Sequence, residues 1–380
     1  MRLIKNPKAD YVVAIETSRY QDMASILKID NDGRVNRSAF VHHDDTVPSY
    51  YFGVNNEVCV FLVQVTEQGS MLYTLKGVEC NLEHIENRFY THKLTCHGET
   101  LKIQGMKKGS AIPSVIVFNG ATKDITYQEH AYPSNTRIIQ LRDFTIVSSA
   151  SSTTEEKNIS VLYFYGSYGR PVSLLDHPWV NTTNNKGIAI NCYVLLMPGG
   201  GEYGPQWHRK GIRDKYKRQR QWIKQAIEYI CSVKQEDEKL ILETNSAGAI
   251  AAISYYRDGG CIDGMILNSP FLHLQSVLEN QPAGLLDKQD QYEWKGVEKS
   301  DASLSLFTKS NCFAPILIFS GQHDTITPRK KILEWVISNQ ASNIQPIDIV
   351  DIASGGHGFN CDDRHIANCK KLDFIEDIFV

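Results

Sequence analysis

No apolar run in this 380-residue chain approaches the 18–20 or so residues that span a bilayer, and stretches such as Ala314–Phe319 are far too short. The N-terminus, Met1-Arg2-Leu3-Ile4-Lys5-Asn6-Pro7, has no apolar segment of the kind a secretory signal carries. An excess of charge is lacking too: 40 Lys plus Arg face 43 Asp plus Glu, a formal net charge of −3, whereas a dedicated nucleic-acid binder is strongly basic. No two cysteines have C-x-x-C spacing. The nine, at 59, 80, 96, 192, 231, 261, 312, 361 and 369, are an odd number and scattered, the pattern of reduced, mostly buried thiols in a cytosolic protein. The expected compartment is cytoplasmic, and neither nucleic acid nor a membrane is an expected partner.

What is present is ordinary globular composition, 42% hydrophobic and 22% charged. At roughly 150 residues per domain the length suggests two or three domains. A chain of this size buries about three quarters of its unfolded surface, so it needs neither a disulfide nor a metal staple. No cofactor is implied. Residues 1–125 read as all-β. Tyr11–Ile15 and Ser25–Asp30 are short β-branched runs, and Asn31-Asp32-Gly33 is a turn signal. Glu57–Val65 and Ser70–Leu75 form a hairpin around Thr66-Glu67-Gln68-Gly69. Ile112–Phe118, interrupted by Pro113, reads as an edge strand. At about 40–45 residues per propeller blade the region holds two or three blade-like units at most, a truncated propeller, with no self-similar repeat signature. The strand edges it leaves open would be covered by the second half or by a homo-oligomer.

Residues 126–380 change character, most clearly from Arg137. Apolar strands at Ser160–Tyr165, Ile188–Met197, Leu240–Glu243, Gly264–Leu267, Pro315–Ser320 and Ile347–Val350 alternate with helical segments. Trp222, Ile223, Ala226, Ile227 and Ile230 share one helical stripe. This alternation predicts an α/β fold, a doubly wound, mostly parallel sheet covered on both faces.

The chemistry-bearing segment is Leu242-Glu243-Thr244-Asn245-Ser246-Ala247-Gly248-Ala249-Ile250. A strand ends, a Ser follows, and an Ala/Gly-rich helix begins, as in a nucleophile elbow. Thr244 takes the first Gly position of G-x-S-x-G and Gly248 keeps the second. Downstream, one strand runs into Gly321-Gln322-His323-Asp324 and another into Ser354-Gly355-Gly356-His357-Gly358. Ser, Asp, His is the chain order of the α/β hydrolases, each residue following a strand at the sheet's carboxyl edge. Ser is inert until a base takes its proton, and a carboxylate fixes the imidazole tautomer and stabilises the imidazolium.

With these segments on the page, the chain resembles the prolyl oligopeptidase family of serine peptidases, oligopeptidase B included. The likeness lies in Tyr163-Phe164-Tyr165-Gly166-Ser167-Tyr168-Gly169, in Gly199-Gly200-Gly201-Glu202-Tyr203-Gly204-Pro205-Gln206-Trp207-His208, and in the three segments above; it covers about residues 130–380. It implies an α/β-hydrolase domain with Ser246 as nucleophile, Asp324 as orienting acid and His357 as general base. It also implies an oxyanion hole from the Tyr165 hydroxyl and the Ala247 N–H, and substrate contacts at Tyr168 and Trp207. Three features depart from the family. Arg220-Gln221-Trp222-Ile223 stands where the family has Phe-Asp-Asp-Phe, the Arg after the acid is displaced to Arg329, and the aromatic that stacks on a proline has no counterpart. Proline specificity is therefore not implied.

Other signals have plainer readings. The basic stretch His208–Arg220 reads as a solvated approach to a helix, and His42-His43-Asp44-Asp45 and Asp362-Asp363 with His365 as polar loops rather than metal sites. Glu202 and Tyr203 read as structural. The sequons at Asn36, Asn158 and Asn181 carry no meaning without secretion. The expected function is a serine hydrolase acting on short peptides through an acyl-enzyme. Its alternatives are an esterase, thioesterase or peptide transacylase with the same triad, or an interaction protein that has lost turnover.

Overall fold

A computed structural model describes strand backbone over much of residues 2–84, and backbone with side chains over most of 89–380. The main stretches outside the described residues are 6–10, 19–22, 42–48, 55–58, 85–88, 152–156, 181–186, 280–289, 298–303, 305–313 and 341–345. The His42–Asp45 cluster therefore lies outside them.

The chain divides into two compact units, residues 1–132 with 201–209, and residues 133–200 with 210–380. The first unit is built of antiparallel meanders, because alternating β-branched runs separated by polar turns can pair only with their neighbours. β1 (Arg2–Lys5), β2 (Tyr11–Ser18), β3 (Met23–Asp30) and β4 (Val35–Val41) make one sheet in chain order. β5 (Ser49–Val54), β6 (Cys59–Val65), β7 (Ser70–Lys76) and β8 (Glu79–His84) make a second. β9 (Phe89–His97), β10 (Thr100–Lys107), β11 (Pro113–Asn119) and β12 (Ile125–Glu129) make a third. Three sheets of equal make-up, without a repeating sequence signature, mean that the repetition lives in strand pairing rather than in residue identity. The hairpin around residues 66–69 forms as expected, with Val65 opposite Ser70. The edge-strand reading of Ile112–Phe118 does not hold. β11 is an inner strand, and Pro113 is tolerated because it is the first residue, where its missing N–H costs little. A core of Leu72, Phe89, Leu101, Ile103, Ile116 and Phe118 joins the second and third sheets, helped by Ser70, which accepts from the Thr91 N–H at 2.8 Å.

The second unit is one eight-stranded sheet. In spatial order it runs β13 (Thr136–Gln140), β14 (Thr145–Ser149), β16 (Ile188–Leu196), β15 (Lys157–Phe164), β17 (Lys239–Asn245), β18 (Gly264–Asn268), β19 (Ile316–Gly321) and β20 (Ile347–Ile352). From β16 to β20 all pairs are parallel, and the β13–β14 hairpin adds antiparallel strands at one edge. Of the helices, α1 (Pro205–Arg209) falls in the first unit; α2 (Lys217–Val233), α3 (Gly248–Arg257), α4 (Leu274–Glu279), α5 (Arg329–Gln340) and α6 (Cys361–Asp377) belong to the second. α2 buries the expected stripe Trp222, Ile223, Ala226, Ile227 and Ile230. Its neighbour α3 is buried almost all round, which its Ala- and Gly-rich sequence permits by letting backbones approach.

The thiol expectation needs correction. Cys261 is disulfide-bonded, and of the free cysteines Cys192 is buried, Cys96 half-buried, and Cys231 and Cys369 exposed. Among the described residues no helix is long and apolar enough to cross a membrane, and no group of His, Cys, Asp and Glu is arranged to hold a metal ion.

One buried charge pair ties α6 to the sheet. Lys371 Nζ donates to Glu243 Oε1 at 2.6 Å, with both side chains at least 95% buried. Trp179 Nε1 donates to the other carboxylate oxygen at 2.7 Å, and Asn268 Nδ2 to Oε1 at 3.0 Å. Burial opposes ionisation of Glu243, but the Lys371 ammonium outweighs it and holds the carboxyl below its usual range. Truncating Lys371 to Ala strands a buried carboxylate and should lower unfolding stability by about 3–5 kcal/mol. Chemical denaturation of the two proteins measures it, and Glu243→Gln combined with Lys371→Met should lose less.

Candidate active site

β17 ends at Asn245, Ala247 caps α3, and Ser246 is the sharp turn between them, with φ at +46°. A non-glycine residue in the left-handed region is strained, and it persists only where its surroundings over-determine it. Here the Ser246 N–H donates to Asn268 O at 2.9 Å, and its carbonyl accepts from the N–H groups of Phe271 at 3.0 Å and Ala249 at 3.2 Å. Gly248 is required: a Cβ there would lie 2.0 Å from the Thr244 hydroxyl. That hydroxyl donates to Phe164 O at 2.7 Å, so Thr244 occupies the first glycine position by bonding to the neighbouring strand.

The three residues that sequence order singled out meet. His357 Nε2 lies 3.0 Å from Ser246 Oγ, and His357 Nδ1 lies 2.9 Å from Asp324 Oδ2. The loops carrying the acid and the imidazole are knitted through backbone. His323 N–H donates to Gly355 O at 2.9 Å, and a Cβ on Gly321 would meet Gly356 O at 2.4 Å. Asp324 is held from its other side by a residue that the sequence reading passed over. The Thr327 hydroxyl donates to Oδ2 at 2.6 Å, while the N–H groups of Thr327 and Ile326 donate to Oδ1 at 2.8 and 2.9 Å. The signal was Asp-Thr-Ile-Thr-Pro itself, an Asp two and three residues ahead of amides that its own side chain can bond. Burial opposes ionisation of Asp324, but the bonds from His357 and Thr327 outweigh it and draw its pKa down to about 2.

Tyr165 directly follows β15, is buried, and hydrogen-bonds to Ser246. Burial pushes its pKa up to about 12, so the phenol keeps its proton and remains a donor at neutral pH. Ala247 is the cap residue just before α3, where the amides at a helix start lack helical partners. A cleft of about 690 Å³ is lined by Ser246, His357 and Tyr165.

The two residues expected to touch substrate are not among those lining that cleft. Tyr168 is instead tied up: its N–H donates to Glu293 at 2.6 Å, its hydroxyl donates to Asp290 at 2.6 Å and accepts from Trp294 Nε1 at 2.8 Å. Trp207 belongs to the first unit, where Nε1 donates to the buried Glu202 at 2.8 Å and its ring meets Tyr203 edge-on. Of the basic stretch, Arg213 stacks on Tyr292 and Arg220 pairs with Asp258. Asp363 accepts from Ser354 at 2.6 Å.

The sequence matches no family model and no curated protein. Its fold does match solved structures. Oligopeptidase B from Trypanosoma brucei, in a closed form with covalently bound antipain, superposes with a TM-score of 0.65 at 11% identity, covering 100% of this chain and 65% of that one. A puromycin-hydrolyzing peptidase of Mycobacterium tuberculosis gives 0.62 at 12%, covering 99% and 70%. Prolyl oligopeptidase B from Galerina marginata, bound to a 35mer hydrolysis and macrocyclization substrate, gives 0.63 at 12%, covering 99% and 63%. The chain thus spans a little under two thirds of the oligopeptidase B structure. At such identities the likeness is one of fold.

The Asp324 geometry has a pH signature. A carboxyl whose folded pKa is depressed, here from 3.8 to about 2, adds stability that is fully present above the unfolded value and lost as pH falls through the folded one. The stability gap between the wild type and Asp324→Asn should therefore hold at pH 5 and above, and narrow steadily toward pH 2. Denaturant midpoints across that range test it.

Proposed function

We propose that this chain is a serine peptidase of the prolyl oligopeptidase type, cleaving short peptides through an acyl-enzyme on Ser246. The observation that carries the reading is the hydrogen-bonded chain Asp324–His357–Ser246, set on a strained turn at the carboxyl edge of the sheet. His357 Nε2 takes the proton from Oγ as Oγ attacks the scissile carbonyl carbon. Asp324, ionised at neutral pH, keeps the proton on Nδ1 and stabilises the imidazolium. Negative charge gathering on the carbonyl oxygen meets the Tyr165 hydroxyl and the Ala247 N–H. The imidazolium then gives its proton to the leaving amine, and water repeats the sequence to free the acid. The fold neighbours named above, an oligopeptidase B, a puromycin-hydrolyzing peptidase and a prolyl oligopeptidase B, support the same reaction class. Matched peptide amides and simple esters decide whether an amide is the favoured leaving group, as the proposal requires.

Fluorophosphonate labelling is the direct test. The wild type should label on Ser246, and Ser246→Ala should not. Turnover of a peptide substrate should fall by about 10⁴–10⁶ in Ser246→Ala and by a similar factor in His357→Ala, because the two act as a unit. Absence of labelling in folded wild-type protein sinks the reading.

Tyr165→Phe keeps the ring and removes only the donor. A loss of about 10–10³ in kcat at unchanged thermal stability is expected. An unchanged kcat would make Tyr165 a packing residue.

A further inference from the structure

The cleft beside Ser246 is lopsided in charge. Arg170 and Arg364 line it together with Lys371, and among the described residues no Asp or Glu does. Lys371 is already spoken for by Glu243. Several of the chain's other arginines are committed to partners. Arg220 and Arg257 pair with Asp258, and Arg329 grips Asp351 through two bonds, of 2.6 and 2.7 Å. The Arg170 guanidinium has no hydrogen bond or ion pair among the described residues, and the side chain is exposed. Its backbone is nonetheless pinned: Arg170 N–H donates to Ser167 O at 3.1 Å, and the preceding Gly169 N–H donates to Gly199 O at 3.1 Å. It lines the same cleft as Ser246 and Tyr165, and its charge works against the rise that burial imposes on the Tyr165 phenol.

Other groups lining the cleft carry unused polar atoms. Asn268 and Ser269 are each more than nine-tenths buried, and Asn268 Oδ1 and Ser269 Oγ are buried without a hydrogen-bond partner. Buried polar atoms are satisfied in nearly all folded proteins, and these two, set in the wall of the cleft, are available to a molecule bound there. An unused amide oxygen takes an N–H. An unused hydroxyl and a free guanidinium suit a carboxylate, which accepts several bonds at once. A peptide segment carrying a carboxylate supplies both.

We propose that this cleft selects substrates with a carboxylate near the scissile bond, held by Arg170 with Arg364 adding favourable charge. The carboxylate is either an acidic side chain or a free C-terminus. This specificity rests on the peptidase reading for its meaning, but binding tests it separately from catalysis.

The measurement is the affinity of full-length Ser246→Ala protein for three N-acetylated hexapeptides, matched apart from their charge. One has internal Asp and an amidated end, one has neutral side chains and a free C-terminal carboxylate, and one is neutral and amidated. One of the first two should bind about tenfold or more tighter than the third, the order expected of a charge-assisted bond, and which one does so identifies the source. The preference should collapse in Arg170→Gln, return in part in Arg170→Lys, and shrink in high salt. Inhibition of fluorophosphonate labelling by the same peptides repeats the ranking on the wild type. Equal binding of all three peptides, or a preference untouched by Arg170→Gln, overturns the proposal while leaving Ser246 labelling intact. Loss of labelling with the carboxylate preference preserved would overturn the peptidase reading instead.

Discussion

Holding Ser246 at a left-handed φ costs on the order of 1–3 kcal/mol, and the rest of the site is arranged around that cost. A serine in ordinary extended or helical geometry would leave Oγ beside the strand or folded against the first helical turn. The reversed φ lifts it clear of the sheet edge. Three backbone bonds on one residue hold it there, and two of the three come from the segment in and after β18. That arrangement requires β17 and β18 in one register, with Asn245 opposite Asn268. The parallel sheet is therefore the device that holds the strain, and the position of the oxygen follows from strand pairing.

Beneath that edge, the buried Glu243–Lys371 pair performs a different task. Replacing such a pair by apolar side chains of equal volume is often neutral or stabilising, so its presence says little about stability. Its geometry says more. Glu243 lies two residues before Asn245 on the same face of β17, and Lys371 lies on α6, the helix that follows the His357 loop. The ion pair with its Trp179 and Asn268 donors thus fixes the register of α6 against the strand that leads into Ser246. His177, packed edge-on against Tyr163 in the same region, stays neutral, because burial pulls its pKa down to about 4. A second positive charge beside Lys371 is avoided.

Parts of this were legible in the sequence and parts were not, for physical reasons. Strand ends followed by small residues announce themselves locally, so the Ser246, Asp324 and His357 segments and the parallel strands that carry them could be read directly. β11 could be read as a strand as well, but Pro113 obscured its place in the sheet, since a proline at the first residue looks the same in sequence as one that forces an edge. The three sheets of the first unit left no repeat signature, because a meander constrains alternation and turn length while leaving side-chain identity free. Glu243, Lys371 and Arg170 were out of reach. A charged residue within a strand, on a long helix or in a loop has no local mark that tells whether it finds a partner 128 residues away or none. The cysteine reading failed for the same reason, as parity and spacing say nothing about which sulfurs the fold brings together.

Thr244 shows how a departure from a motif can be absorbed. A glycine in the first position of the elbow serves to leave room, and a β-branched residue there ought to collide with the helix that follows. In this chain the collision is removed from the opposite side. Gly248 leaves the space that the Thr244 hydroxyl fills, and that hydroxyl bonds to the terminal carbonyl of β15, the residue just before Tyr165. Oγ and the phenol are thereby braced by one small contact between adjacent strands. The glycine that remains in the motif is needed more because the other is gone. Restoring glycine at 244 would remove the brace, whereas adding a methyl at 248 would drive the helix away from the strand, so the two positions are not equivalent even though the motif writes them alike.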